Sequence, residues 1–234
     1  MILLHVITAI CYAVALRRSI FFWLAAGLHI IGIGIHQWQA LRFDVGMSLS
    51  LFMLITALVA WRRIRPASRA VLLVLMALSS LAPMLFYTPK APSLAPVTVA
   101  HVLLAMLAYA FAATTMLQWL DLRLAERARR QLSSAGTVPL LTMEKNCFCT
   151  LAQAFALLSL TLVSGVAFGD GFPPAHKTLF AVLTWVTFGG LLVGRHYLGW
   201  RGRTAQIWLA TGFMFFVLSY FGTYFVLQVL LEKS

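Results

Sequence analysis

The sequence predicts an all-α protein, a polytopic membrane bundle of about eight transmembrane helices. Three observations predict it. Of 234 residues, 62% are hydrophobic and only 10% are charged, where a soluble domain carries about 25% charged residues. The mean hydropathy is +0.90, so the chain lacks the polar surface needed to coat a globule in water. The apolar residues also run unbroken for roughly 15–20 positions, whereas barrel strands alternate over about ten. Soluble enzymes, disordered tails and secreted disulfide scaffolds are excluded.

Eight apolar runs are legible, at about 2–16, 20–37, 47–61, 70–87, 97–119, 147–168, 177–194 and 205–230. The first lacks a basic leader and a small-residue cleavage site before Arg17 and Arg18, so it reads as a span rather than a signal peptide. The first and third are short for a hydrocarbon layer of about 30 Å, which places their ends among headgroups. The second and seventh carry Gly27, Gly32 and Gly34, and Gly189, Gly190 and Gly194, residues that let helix backbones approach closely. The fifth continues into a basic stretch from Asp121 to Arg130, the start of a 120–146 connection. That stretch is expected as a helical extension resting on lipid headgroups. No aromatic residues interleave with its charges, so nucleic acid is not expected as a partner. The remaining connections are short or proline-rich, and residues 1–234 read as a single integral membrane domain.

The net charge of +12 is distributed by side. Alternate connections hold fourteen Lys and Arg on one side and four on the other. The positive-inside rule puts the first set in the cytoplasm and both termini outside, periplasmic in a bacterial inner membrane. Trp61, Trp119, Trp200 and Trp208 fall near inner span ends and Trp38 near an outer one, as an aromatic belt requires.

Side-chain chemistry is sparse. Asp44, Asp121, Glu126, Glu144, Asp170 and Glu232 all read as connection or tail residues. Coupled pumps bury an acid or base near the midplane, so a coupled pump is disfavoured. No Ser/His/Asp set, HExxH motif or P-loop appears, and an enzyme is not expected. Cys11, Cys147 and Cys149 form neither a C-x-x-C pair nor a C-x-x-C-H haem-attachment site and read as packing residues.

Histidine is the ionisable side chain that does enter the spans. His5, His36, His101 and His176 fall near outer span ends, His29 lies inside the second span, and His196 lies at the inner end of the seventh. No two are three to five residues apart, so a one-helix metal motif fails. Lone imidazoles from separate helices suit a flat ligand held between apolar walls, which describes haem. They equally suit structural histidines hydrogen-bonded within the bundle, and the residues alone leave both readings open.

Several segments resemble the cytochrome c assembly family, the CcsA and HemX type, and in particular its YpjD-like inner-membrane branch. Val138-Pro-Leu-Leu-Thr-Met-Glu-Lys-Asn-Cys-Phe148 resembles that branch's P-P-L-x-x-[IM]-E-x-x-x-F. Leu157-Leu-Ser-Leu-Thr-Leu-Val-Ser-Gly165 resembles L-L-T-L-T-L-x-[ST]-G. His176-Lys177, Gly199-Trp-Arg-Gly-Arg203 and Tyr220-Phe-Gly222 follow in the family's order. His101 matches the family's H-V-x-x-x-x-L-x-Y-A, and the resemblance implies an external axial haem ligand there. His29, in Leu28-His-Ile-Ile-Gly-Ile-Gly34, resembles a segment bearing an intramembrane haem histidine, and His196 lies about a turn beyond a second one. The haem exporters' tryptophan-rich loop corresponds here to Phe168-Gly-Asp-Gly-Phe-Pro-Pro174, without tryptophan. Their second external histidine falls in Thr223-Tyr-Phe-Val-Leu-Gln-Val-Leu-Leu231, which has none, and leaves His36 or His176 as substitutes.

The resemblance implies a non-catalytic inner-membrane protein that binds or handles haem b, with the lipid bilayer and another membrane or haem-pathway protein as partners. His101 leads as ligand, then His29, with His36, His176 and His196 as further candidates. An accessory or scaffold protein that regulates such a partner and holds no haem is the alternative. An uncoupled channel or carrier is a third reading.

Overall fold

Helices account for nearly all of residues 2–37, 45–85, 95–131, 140–168 and 175–219, which the computed structural model of the chain describes. They are α1 (Ile2–Ala15), α2 (Ile20–Gln37), α3 (Val45–Ala60), α4 (Pro66–Leu85), α5 (Pro96–Gln131), α6 (Leu140–Phe168), α7 (Ala175–Tyr197) and α8 (Gly202–Val217). No strand occurs among the described residues. Prolines open α4 and α5, where the missing N–H costs nothing. α7 stops at Gly199, whose φ of +65° a side chain would resist. Around it the Leu198 and Trp200 N–H groups both return to the Gly194 carbonyl.

By length and composition, α4, α5, α6 and α7 can each cross a membrane, while α1, α2 and α3 are shorter apolar helices. The protein is a helical membrane protein. Its outward faces fit that solvent: on α6, Leu160, Val163 and Val166 are all exposed, Val166 by 87%. Within the helices, Thr56, Thr114, Thr115, Thr150, Thr161, Thr184 and Thr187 each donate to the carbonyl four residues back. Lipid offers no competing water, so hydroxyls are satisfied on their own helix.

The chain divides into two compact units, residues 1–100 and 101–234. In the first, α1 packs on α2 and α4, and α3 packs on α4 and α2. Phe22 stacks on Trp61 with centroids 3.7 Å apart. Arg69 lies over the same indole at 5.0 Å and donates from Nε to the Trp61 carbonyl at 3.0 Å. That corner ties the start of α2 and of α4 to the end of α3. Gly46 sits directly against the Ala82 carbonyl, so α3 and α4 meet backbone to backbone.

In the second unit α7 packs on α6 and α8. Tyr109 of α5 meets Phe216 of α8 at 4.0 Å, and Trp119 of α5 meets Phe148 of α6 edge-on at 6.4 Å. Trp185 stacks on Phe155 and donates to Ser159 Oγ at 2.8 Å. Leu151, Phe188, Leu191 and Leu209 form its fully buried centre.

The helical extension expected after the fifth apolar run is present, but the acids are placed differently from the reading. α5 is helical through Gln131, and α6 begins at Leu140, so three of the acids read as connection residues lie inside helices. Asp121 is 3% exposed, and Glu144 pairs with Arg195 at 3.1 Å. Apolar runs mark only the lipid-facing length of a helix, and both helices extend beyond it. The eighth run, expected to 230, is described as helix only to Val217, and its remainder from 220 lies outside the described residues.

Candidate functional site

The histidines occupy two separate settings. In the first unit, α1 presents His5, Thr8, Tyr12 and Ala15 as one buried stripe at helical spacing. His29 on α2 is 1% exposed and meets that stripe. Its Nδ1 shares a hydrogen bond of 3.2 Å with the Tyr12 hydroxyl, and its Nε2 one of 2.6 Å with Ser50 Oγ on α3. Hydroxyls both donate and accept, so either imidazole tautomer is fully satisfied. His5, 3% exposed, packs beside Gly32, whose position leaves 3.4 Å between an added Cβ and the His5 ring.

An iron ligand needs one nitrogen with its lone pair aimed into a slot. His29 has both nitrogens committed inside the unit, and a porphyrin does not fit it in this arrangement.

His101 differs. It lies one turn into α5, half-buried, with Nδ1 2.8 Å from Ser164 Oγ near the end of α6. The Ser164 hydroxyl donates its one proton to the Thr161 carbonyl at 2.9 Å. With that bond made, the Ser164 oxygen accepts from His101 Nδ1; with the hydroxyl turned, it donates to the ring instead. In the first arrangement the ring proton sits on Nδ1. A metal-binding imidazole is held the same way, with its other nitrogen donating to a neighbour. The donor set at His101 fits an axial haem ligand.

The other candidates fall elsewhere. His36 lies in α2 and His176 in α7, and their side chains are outside the described residues. His196 is exposed at the far end of α7, with its ring 4.7 Å from that of Tyr197. Its neighbour Arg195 pairs with Glu144, which is about 30 Å along α6 from Ser164. His196 and His101 do not share a ligand. Residues 169–174 and 223–231 also lie outside the described residues.

Cys147 is buried, Cys149 exposed and Cys11 half-buried, all as free thiols. Cys147 lines a cavity of about 10 Å³ with Trp119, Phe148 and Leu191, room for one water at most. No group of three His, Cys, Asp or Glu capable of holding a metal ion occurs among the described residues.

Sequence reasoning missed Tyr12, Ser50 and Ser164 as partners and His5 as a buried neighbour. Ser164 and Gly165 carried a signal, since they form the [ST]-G of a recognisable segment, but nothing tied that segment to His101.

A helical membrane protein with a hydroxyl-bound histidine, His29 or His101, in each of its two units is the class that the fold and site define. The chain belongs to the cytochrome c assembly protein family, whose profile matches residues 13–231. It is also similar to a protein of Azospirillum brasilense named as an uncharacterized 28.8 kDa protein in the nifR3-like 5'region. The two are 28% identical over 246 residues, covering 92% of this chain and 88% of the relative. No solved structure matches the chain.

Proposed function

We propose that this protein binds or hands on haem b at the outer face of a bacterial inner membrane, through His101, without catalysing a reaction. Family membership supports the class of task. The observation that carries the site is the contact of His101 Nδ1 with Ser164 Oγ across α5 and α6, the kind of second-nitrogen bond that orients a ligating imidazole. Haem bound there would supply an iron centre for ligation or transfer, and the protein's part is to hold and orient it. The absence of a C-x-x-C-H site favours haem held without a covalent link. The charge asymmetry supports eight spans in one membrane domain, with both termini outside. A second axial ligand from His36 or His176 belongs to the same proposal.

A haem-free accessory role beside a membrane or haem-pathway partner is the second reading. The full hydrogen bonding of His29 favours it, because that histidine is already spent on structure.

The absorption spectrum of the full chain purified in mild detergent from haem-replete cells tests the choice. A Soret band lost in His101→Ala supports the site. A colourless protein that takes up no added haemin supports the accessory role.

A further inference from the structure

The two units carry their arginines differently. In the second, Arg123 stands 3.4 Å from Glu126 and Arg195 3.1 Å from Glu144, acids of the same unit. Residues 1–100 hold eight Arg and Lys and a single acid, Asp44, between α2 and α3. None of the described residues of that unit is acidic.

Six of its arginines sit at two turns, Arg17 and Arg18 between α1 and α2, and Arg62, Arg63, Arg65 and Arg69 from the end of α3 into α4. The stack of Phe22 on Trp61 brings the two turns to one end of the unit. Each turn is closed by backbone bonds, from the Arg18 N–H to the Val14 carbonyl at 3.3 Å and from the Ile64 N–H to the Ala60 carbonyl at 3.1 Å. Buried Ile64 pins the second turn, and Arg69 is held on the Trp61 carbonyl and ring. Arg17, Arg18 and Arg62 are exposed on this frame. Arg63 and Arg65 make contacts of their own and are not assigned to the site.

Beside these charges the surface turns apolar. Leu16 is 47%, Ile20 75% and Trp23 52% exposed. In a membrane protein such side chains lie against acyl chains, and an indole favours the headgroup boundary. A free anion would use the arginines alone, whereas a phospholipid would use both surfaces.

We propose that this end of the first unit binds an anionic phospholipid, with Arg17, Arg18 and Arg62 on its headgroup and Leu16, Ile20 and Trp23 along its acyl chains. Guanidinium groups pair with phosphate oxygens through charge-assisted hydrogen bonds, and basic pockets at the ends of membrane helices take such headgroups.

The full chain is titrated in mild detergent with phosphatidylglycerol, with phosphatidylcholine and with inorganic phosphate, and retained lipid is counted by native mass spectrometry. Wild type is expected to retain phosphatidylglycerol in preference to phosphatidylcholine, and inorganic phosphate at equal concentration is expected not to displace it. Arg17→Gln, Arg18→Gln and Arg62→Gln should each weaken the first-bound phosphatidylglycerol about fivefold, the worth of one basic side chain near anionic lipid. Arg17→Lys keeps the charge and should keep most of the affinity. Arg203→Gln, which removes the same charge from an exposed position in the other unit, should leave it unchanged. Thermal unfolding without added lipid checks that each variant is folded. Equal retention of the two lipids overturns the inference, as does a loss in Arg203→Gln that matches the loss in the other three. Displacement by inorganic phosphate makes the site one for a soluble anion, and binding of polyglutamate with no lipid retained makes it a docking face for an acidic protein; either result overturns the lipid assignment.

Discussion

Tyr12 on α1 and His29 on α2 meet hydroxyl to Nδ1 at 3.2 Å, with their rings edge-on at 71°. Ser50 on α3 completes the contact from the opposite nitrogen. One imidazole thereby joins three helices of the first unit. In lipid, an unsatisfied polar atom has no water to turn to, so each partner depends on the other two.

Removing one hydroxyl should therefore destabilise the protein without touching haem. Tyr12→Phe and Ser50→Ala each strand a ring nitrogen, at a cost of about 1–2 kcal/mol. Thermal unfolding in detergent is expected to show both losses. Together they should fall short of additivity, since the second removal acts on a clasp already broken. Haemin uptake through His101 should be unchanged in both, and a loss of uptake in either would place haem at His29 after all.

Two glycines should respond oppositely to the same substitution. A Cβ at Gly46 meets the Ala82 carbonyl, a backbone atom that cannot rotate aside, whereas one at Gly27 meets nothing within 4 Å. Gly46→Ala is expected to cost roughly 1–3 kcal/mol by forcing α3 from α4. Gly27→Ala is expected to gain about 0.5–1 kcal/mol from helix propensity. Thermal unfolding of the two variants side by side checks the sign.

Haem at His101 should exchange readily. The segment 168–174 has no tryptophan to lie over a porphyrin, and 223–231 offers no histidine. Apolar burial is worth roughly 25 cal/mol per Å², so losing several indole contacts costs several kcal/mol. Transfer to apomyoglobin is expected to be fast and to vanish in His101→Ala, which carries nothing to transfer. Slow transfer that His29→Ala accelerates would contradict the external site.

The sidedness read from charge predicts opposite compartments for reporters fused at Arg130 and after Ser234. A fusion at Arg130 should be active only as a cytoplasmic reporter and one after Ser234 only as an external reporter. Identical behaviour would change the number of spans.

The helices and their membrane setting were legible without the structure, because lipid imposes them on composition. A run of apolar residues with its own hydrogen bonds closed is a helix, and clustered arginines mark the side that stays in the cytoplasm. The histidines were legible as residues of interest for the same reason: a lone polar ring in an apolar run needs an explanation. Which groups each histidine meets was decided only by tertiary packing. The sequence put His101 first and His29 second as ligand candidates, and the structure shows how different their partners are. His29 meets a hydroxyl at each nitrogen, on α1 and α3, while His101 meets the Ser164 hydroxyl of α6 at Nδ1. Helical periodicity says which face a residue occupies, and the partners of these rings lie 17, 21 and 63 positions away. Asp121 shows the same limit, since it reads as a connection residue and its place on α5 buries it. Distance along the chain carries no information about such pairings, because the bonds form only where packed helices bring the groups within 3 Å or so.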